Sequence, residues 1–148
     1  MPPKFSLQSV LDYRHSRVEV LEVELGQLFA TQQQYEEYLQ SLHSMEIQLW
    51  DKLNAHQIGE VDLVSIAQCR SQLETIDVQK AQFRTAIAAI KEQVAAKRQE
   101  VINARQDEEM LVILKDKEVE RYEAQLLQDE LRLQDDIYIA QAHHAQTP

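Results

Sequence analysis

The chain reads as an all-α protein, a long antiparallel two-helix coiled-coil hairpin with the C-terminal helix longer than the N-terminal one. Three observations predict this. The 148 residues include only 2 Gly and 3 Pro, and the prolines are Pro2, Pro3 and Pro148. A strand-rich chain needs turn residues every ~8–12 positions, so a stretch this free of breakers favours a few very long helices. The second observation is an apolar stripe at alternating steps of four and three residues: Leu7, Leu11, Arg14, Val18, Leu21, Leu25, Leu28, Gln32, Tyr35, Leu39, Leu42, Glu46, Leu49 and Leu53. Only Arg14, Gln32 and Glu46 on it are polar, and a 3.5-residue repeat held this long keeps one narrow face against a partner helix. The third is a second stripe at the same spacing: Ile66, Cys69, Leu73, Ile76, Lys80, Phe83, Ile87, Ile90, Val94, Lys97, Val101 and Ala104. The chain thus carries both sides of one seam.

The elements follow in order, as a single coiled-coil domain over 1–148. Pro2 and Pro3 make a stiff lead-in, and Ser6 is a candidate N-cap for helix 1, expected over about 6–54. Gly26 lies beside the seam residue Leu25, either as a tolerated helical glycine costing ~1 kcal/mol or as a point of close approach by the partner helix. The segment NAHQIGEVD holds the turn, expected over about 55–61: Asn54 ends one helix, Gly59 can adopt a left-handed conformation, and Asp62 caps the next helix. Helix 2 is expected over about 62–141, with 142–148 as a flexible tail. A break near Asp107 folding back a third helix is the minor alternative.

Near Asp107 to Leu111 the stripe shifts phase, continuing better through Val112, Val119, Tyr122, Leu126 and Leu133, which is a stutter that locally unwinds a supercoil. A reversal between Asn54 and Asp62 makes residues whose numbers add to about 116 face each other. That places Leu7 near Glu109, Lys80 opposite Tyr35, Gln32 opposite Arg84, and Glu46 opposite Arg70 as a cross-helix ion pair. The polar seam residues then set register and orientation. Helix 2 outruns helix 1 by roughly thirty residues, about 45 Å at ~1.5 Å each. This overhang retains Val119, Tyr122, Leu126, Leu127, Leu131, Leu133, Ile137, Tyr138 and Ile139, the mark of an interface.

A formal net charge of -10 disfavours nucleic acid and anionic membranes as partners. Cys69 is the only cysteine, which excludes an internal disulfide and fits a reducing compartment. The longest apolar run, Met110 to Leu114, is far short of the ~20 residues of a membrane span, and the opening residues carry no hydrophobic signal region. A cytoplasmic protein is expected. No phosphate loop, HExxH, paired-cysteine or nucleophile-elbow motif occurs, so neither catalysis nor a cofactor is expected. His143 and His144 are adjacent and point about 100° apart on a helix, a poor start for a metal site. The carboxylate clusters at Asp107 to Glu109 and at Asp135 and Asp136 read as solvated faces. Tyr38, Met45, Ile47 and Trp50 are apolar and off the seam, forming either a partner patch or ordinary exposed side chains.

The opening KFSLQSVLDYR from Lys4 to Arg14 resembles the start of the FliJ family, small cytoplasmic coiled-coil components of the flagellar type III export apparatus. The Tyr35, Leu39 and Leu42 register, the turn around Gly59, the Leu73-Glu74 pair and the closing DELRLQDD from Asp129 to Asp136 extend the resemblance over almost the whole chain. It implies a stalk and adaptor whose free helix ends engage a hexameric rotary-type export ATPase and whose hairpin side contacts the export-gate protein, with escort of export chaperones as a further role. The implied gate surface falls on Leu42, Met45, Leu49, Cys69, Leu73 and Ile76. The ATPase-binding residues are then Phe5, Leu7, Leu11, Val119, Tyr122, Leu126 and Leu133, and any membrane association runs through protein partners only. A stalk on another machine, such as an F-type ATPase or another secretion system, and a scaffold with no ATPase partner remain open alternatives.

Overall fold

A computed structural model of the chain describes residues 4–56 and 62–146. Two helices account for nearly all of them: α1, Gln8–His56, and the longer α2, Leu63–Gln146, arranged as a hairpin with no strand among the described residues. The expected turn falls largely outside the described residues, but Asn54 to His56 are helical and extend α1 past its expected end. At its start α1 begins at Gln8, not at Ser6. The Phe5 carbonyl accepts from Gln8 N–H (3.1 Å) and the Leu7 carbonyl from Leu11 N–H (2.9 Å), so Leu7 occupies the cap position. Asp62 caps α2 as expected, its Oδ1 accepting from the N–H groups of Val64 (3.1 Å) and Ser65 (3.4 Å) while Ser65 Oγ–H donates to Oδ2 (2.8 Å).

The chain separates into two compact units. In the unit Val20–Val101, the predicted stripes form the helix-helix contact. Leu21, Leu42 and Leu53 of α1 and Cys69, Leu73, Ile76, Ile87, Ile90, Val94 and Val101 of α2 are buried, Leu21 with only 2% exposure. Leu53, Cys69 and Leu73 form one cluster, flanked by Leu49 and Ile66. Each fully buried aliphatic side chain contributes about 1.5–3 kcal/mol, so this seam is what holds the pair together. Phe83 packs edge-on to Tyr35 (6.0 Å between centroids) and tilted on Tyr38 (5.6 Å), and the Arg98 guanidinium lies 5.0 Å from the Phe29 centroid. A Cβ built on Gly26 meets nothing within 4 Å, which makes it a tolerated helical glycine and not a point of close approach.

The register differs from the expected one. Glu24 meets Lys97 (2.8 Å), residues whose numbers add to 121 and not to about 116. Glu46 takes Lys80 (2.6 Å) in place of Arg70, and Gln32 Nε2 donates to Glu36 of its own helix (3.1 Å) in place of Arg84. Part of the reason is that the helix ends, His56 and Leu63, have numbers that add to 119, against 116 for the expected ends Asn54 and Asp62. Long side chains add to the offset, because each leans toward its own helix N-terminus and the two therefore converge in an antiparallel pair.

The second unit takes Met1–Glu19 with Ile102–Pro148. Here Phe5, Leu11 and Leu111 form a buried cluster, with Val112 against it. Arg14 Nη1 donates to the Asp107 carbonyl (2.7 Å), and His15 Nδ1 lies 2.6 Å from Glu108 Oε1 while its Nε2 lies 3.0 Å from Glu19 Oε1. The seam step is unbroken through Ala104, Glu108, Leu111 and Lys115, all at least half-buried. The phase shift expected at Asp107 to Leu111 therefore comes later, between Lys115 and Val119, after the last residues packed on α1. No break occurs at Asp107, and α2 runs on through 142–146, where a tail was expected. Ala140, Ala142 and Ala145 supply strong helix propensity there, with His143 and His144 in the last turn.

Candidate protein-binding surfaces

Three charged contacts tie the facing helices, and each shifts a titration. Glu46 is pushed below the usual carboxylate range, chiefly by its hydrogen bond from Lys80. Lys97 is raised, first by its hydrogen bond to Glu24 and then by that to Glu100 (3.1 Å). His15 is raised by its bond to Glu108, with the Glu108 and Glu19 charges adding to it. The polar seam residues are thus partnered rather than merely tolerated: a buried cation such as Lys80 would be costly without its carboxylate.

Within the unit Val20–Val101, the residues singled out for gate contact divide. Leu42, Cys69, Leu73 and Ile76 are buried, Leu49 is half-buried, and Met45 alone is half exposed, at 50%. Leu49, Cys69 and Leu73 are brought together in the core cluster. Met45, Leu49 and Ile76 instead line an open groove of about 500 Å³, walled by Lys52, Thr75 and Gln79. The groove's polar walls carry no apolar periodicity, so sequence patterning gave no signal for them. Tyr38, Ile47 and Trp50 are exposed on α1.

In the other unit the residues singled out for ATPase contact form two sets. Phe5 and Leu11 are buried and hold the start of α1 against Leu111, while Leu7 is marginally exposed. Val119, Leu126 and Leu133 are exposed (42%, 44% and 61%) and Tyr122 is half-buried. Val119 lies 8 and Leu133 22 residues beyond Leu111 along α2, about 12 and 33 Å at ~1.5 Å per residue, so the second set runs away from the first along the helix. Leu127, Leu131, Ile137, Tyr138 and Ile139 are exposed on the same segment. Between Asp116 and Ala145 every side chain is exposed apart from Tyr122.

No helix among the described residues is long and apolar enough to cross a membrane, and among those residues no group of three His, Cys, Asp or Glu side chains could hold a metal ion. Comparison with curated proteins and with solved structures gives no match. A family model does: that of the flagellar FliJ protein covers residues 3–147. With nearly its whole length matched, the chain belongs to the FliJ family of flagellar export-associated, non-enzymatic coiled-coil proteins.

Proposed function

We propose that this protein is a stalk and adaptor that binds and regulates the hexameric rotary-type ATPase of a flagellar export apparatus and helps couple it to the export gate. Family membership supports a place in flagellar export. The single observation that carries the ATPase reading is the apolar segment of α2 from Val119 to Ile139, exposed apart from the half-buried Tyr122 on a chain of high charge. Such a helix can bias which subunit contacts close in a ring without doing chemistry, because a partner only has to bind one ring conformation better than another. The gate contact, on this reading, uses Met45 and the groove beside it, since Leu42, Cys69, Leu73 and Ile76 are occupied with holding the helices together.

The test replaces Tyr122, Leu126 and Leu133 together by Asp and measures stimulation of the purified export ATPase. Stimulation is expected to vanish while the far-ultraviolet helix signal stays at the wild-type level. A triple variant that stimulates like the wild type would overturn the reading, leaving a scaffold role or a different machine.

A further inference from the structure

The exposed segment of α2 flanks its apolar stripe with carboxylates. At about 100° per residue, Val119, Tyr122, Leu126, Leu133 and Ile137 share one face. Asp116, Glu123 and Glu130 run along one edge of it at seven-residue spacing, and Glu118, Asp129 and Asp136 along the other, all of them exposed. Lys117, Arg121 and Arg132, the cations of this segment, fall on the opposite face, where Glu120 and Asp135 also lie. The stripe also shifts phase once. Through Lys115 it advances by alternating threes and fours, Leu111, Lys115 and Val119 are two successive steps of four, and Val119, Tyr122, Leu126 and Leu133 then resume three-, four- and seven-residue steps.

The carboxylate rows bear on what can cover the stripe. A second copy of this segment would bring carboxylate rows against carboxylate rows. We infer that residues 116–139 dock as a helix into a groove of a different protein, apolar along its floor and lined on both walls by Lys or Arg. This rests on the reading above, in which that protein is the export ATPase, and names the chemistry its receiving surface must have. Charge complementarity of this kind acts on encounter rate and orientation as well as on affinity.

The test uses the full chain, fluorescently labelled, with the purified hexameric export ATPase of the same organism and a non-hydrolysable ATP analogue as probe. One variant neutralises the flanks (D116N, E118Q, E123Q, D129N, E130Q, D136N); another neutralises the back face (K117Q, R121Q, R132Q). Circular dichroism checks that both remain helical. The flank variant is expected to bind at least about tenfold more weakly and the back-face variant within about twofold of wild type. Wild-type affinity is expected to fall about tenfold between 0.05 and 0.5 M salt. A flank variant binding within twofold of wild type, while the Tyr122, Leu126, Leu133 triple variant fails to bind, overturns the basic groove and leaves the ATPase reading standing. Absence of wild-type binding overturns both, as does a wild-type dimer that Leu126→Asp dissociates.

Discussion

Two stretches of α2 carry apolar stripes of similar density and have opposite fates. From Ile66 to Val101 every stripe residue is at least half-buried, whereas from Val119 to Ile137 only Tyr122 is. Side-chain chemistry does not explain the difference: Leu126 and Leu133 are as apolar as Leu73, which is buried. What differs is the supply of a complement, since α1 presents Leu21, Leu42 and Leu53 to the first stretch and ends before it can reach the second. The polar contents differ in the same sense. Inside the paired stretch, Lys80 and Lys97 each hold a carboxylate of α1, but around the exposed stripe carboxylates line both edges with no cation on that face. The first pattern completes a structure, and the second leaves one to be completed by another molecule.

Stability measurements separate the two stretches most sharply. Leu21→Ala deletes a side chain that is 2% exposed and is expected to cost about 2–5 kcal/mol, read by urea or thermal unfolding followed by circular dichroism. Leu126→Ala removes a side chain on the exposed stripe and is expected to change stability by no more than about 0.5 kcal/mol. Equal losses from the two substitutions would mean that the exposed stripe is packed in solution, and the contrast would collapse.

How much of this was legible in the sequence also follows the contrast. The fold was legible because the same step of three and four residues marks both faces of the seam, and burial then selects those positions from Leu11 to Leu111. Register was not, because it depends on where the chain reverses. The later end of α1 at His56, together with the convergence of long side chains, trades the expected Glu46 and Arg70 pair for Glu46 and Lys80. The stutter was visible but misplaced, since Leu111 and Val112 are both apolar and only contact with Phe5 and Leu11 shows that Leu111 keeps the seam. For the gate-contact residues, a seam position and a surface position look alike in one dimension. Leu42 and Leu73 turn out to be interior, and Met45 outward.

Gly26 offers a smaller probe of the paired stretch. With open space where a Cβ would stand, Gly26→Ala removes the conformational freedom of the unfolded glycine without a steric penalty. A gain of about 0.5–1 kcal/mol is expected. A loss would mean that α2 approaches α1 more closely at that turn than the geometry indicates.

The smallest effect, and one that distinguishes the two units by pH, concerns His15 and Glu46. His15 is exposed and its pKa is raised above 6.5, first by its bond to Glu108. A group that binds its proton more tightly when folded stabilises the fold fully below its unfolded pKa, and that contribution is lost as pH rises through the folded value. Glu46 in the other unit has the opposite sign: lowered beneath 4.5 by Lys80, it contributes above 4.5 and the contribution is lost as pH falls through its folded value. His15→Gln is therefore expected to melt below wild type at pH 5 and to converge with it toward pH 9. Glu46→Gln is expected to melt below wild type at pH 7, with the gap narrowing as pH is taken below 4. Solvent screening keeps both differences small, so what discriminates is which side of neutrality each gap closes on. If both closed on the acid side, His15 would not be holding Glu108 in solution, and the clasp between the start of α1 and α2 would rest on Arg14 and the Phe5, Leu11 and Leu111 cluster alone.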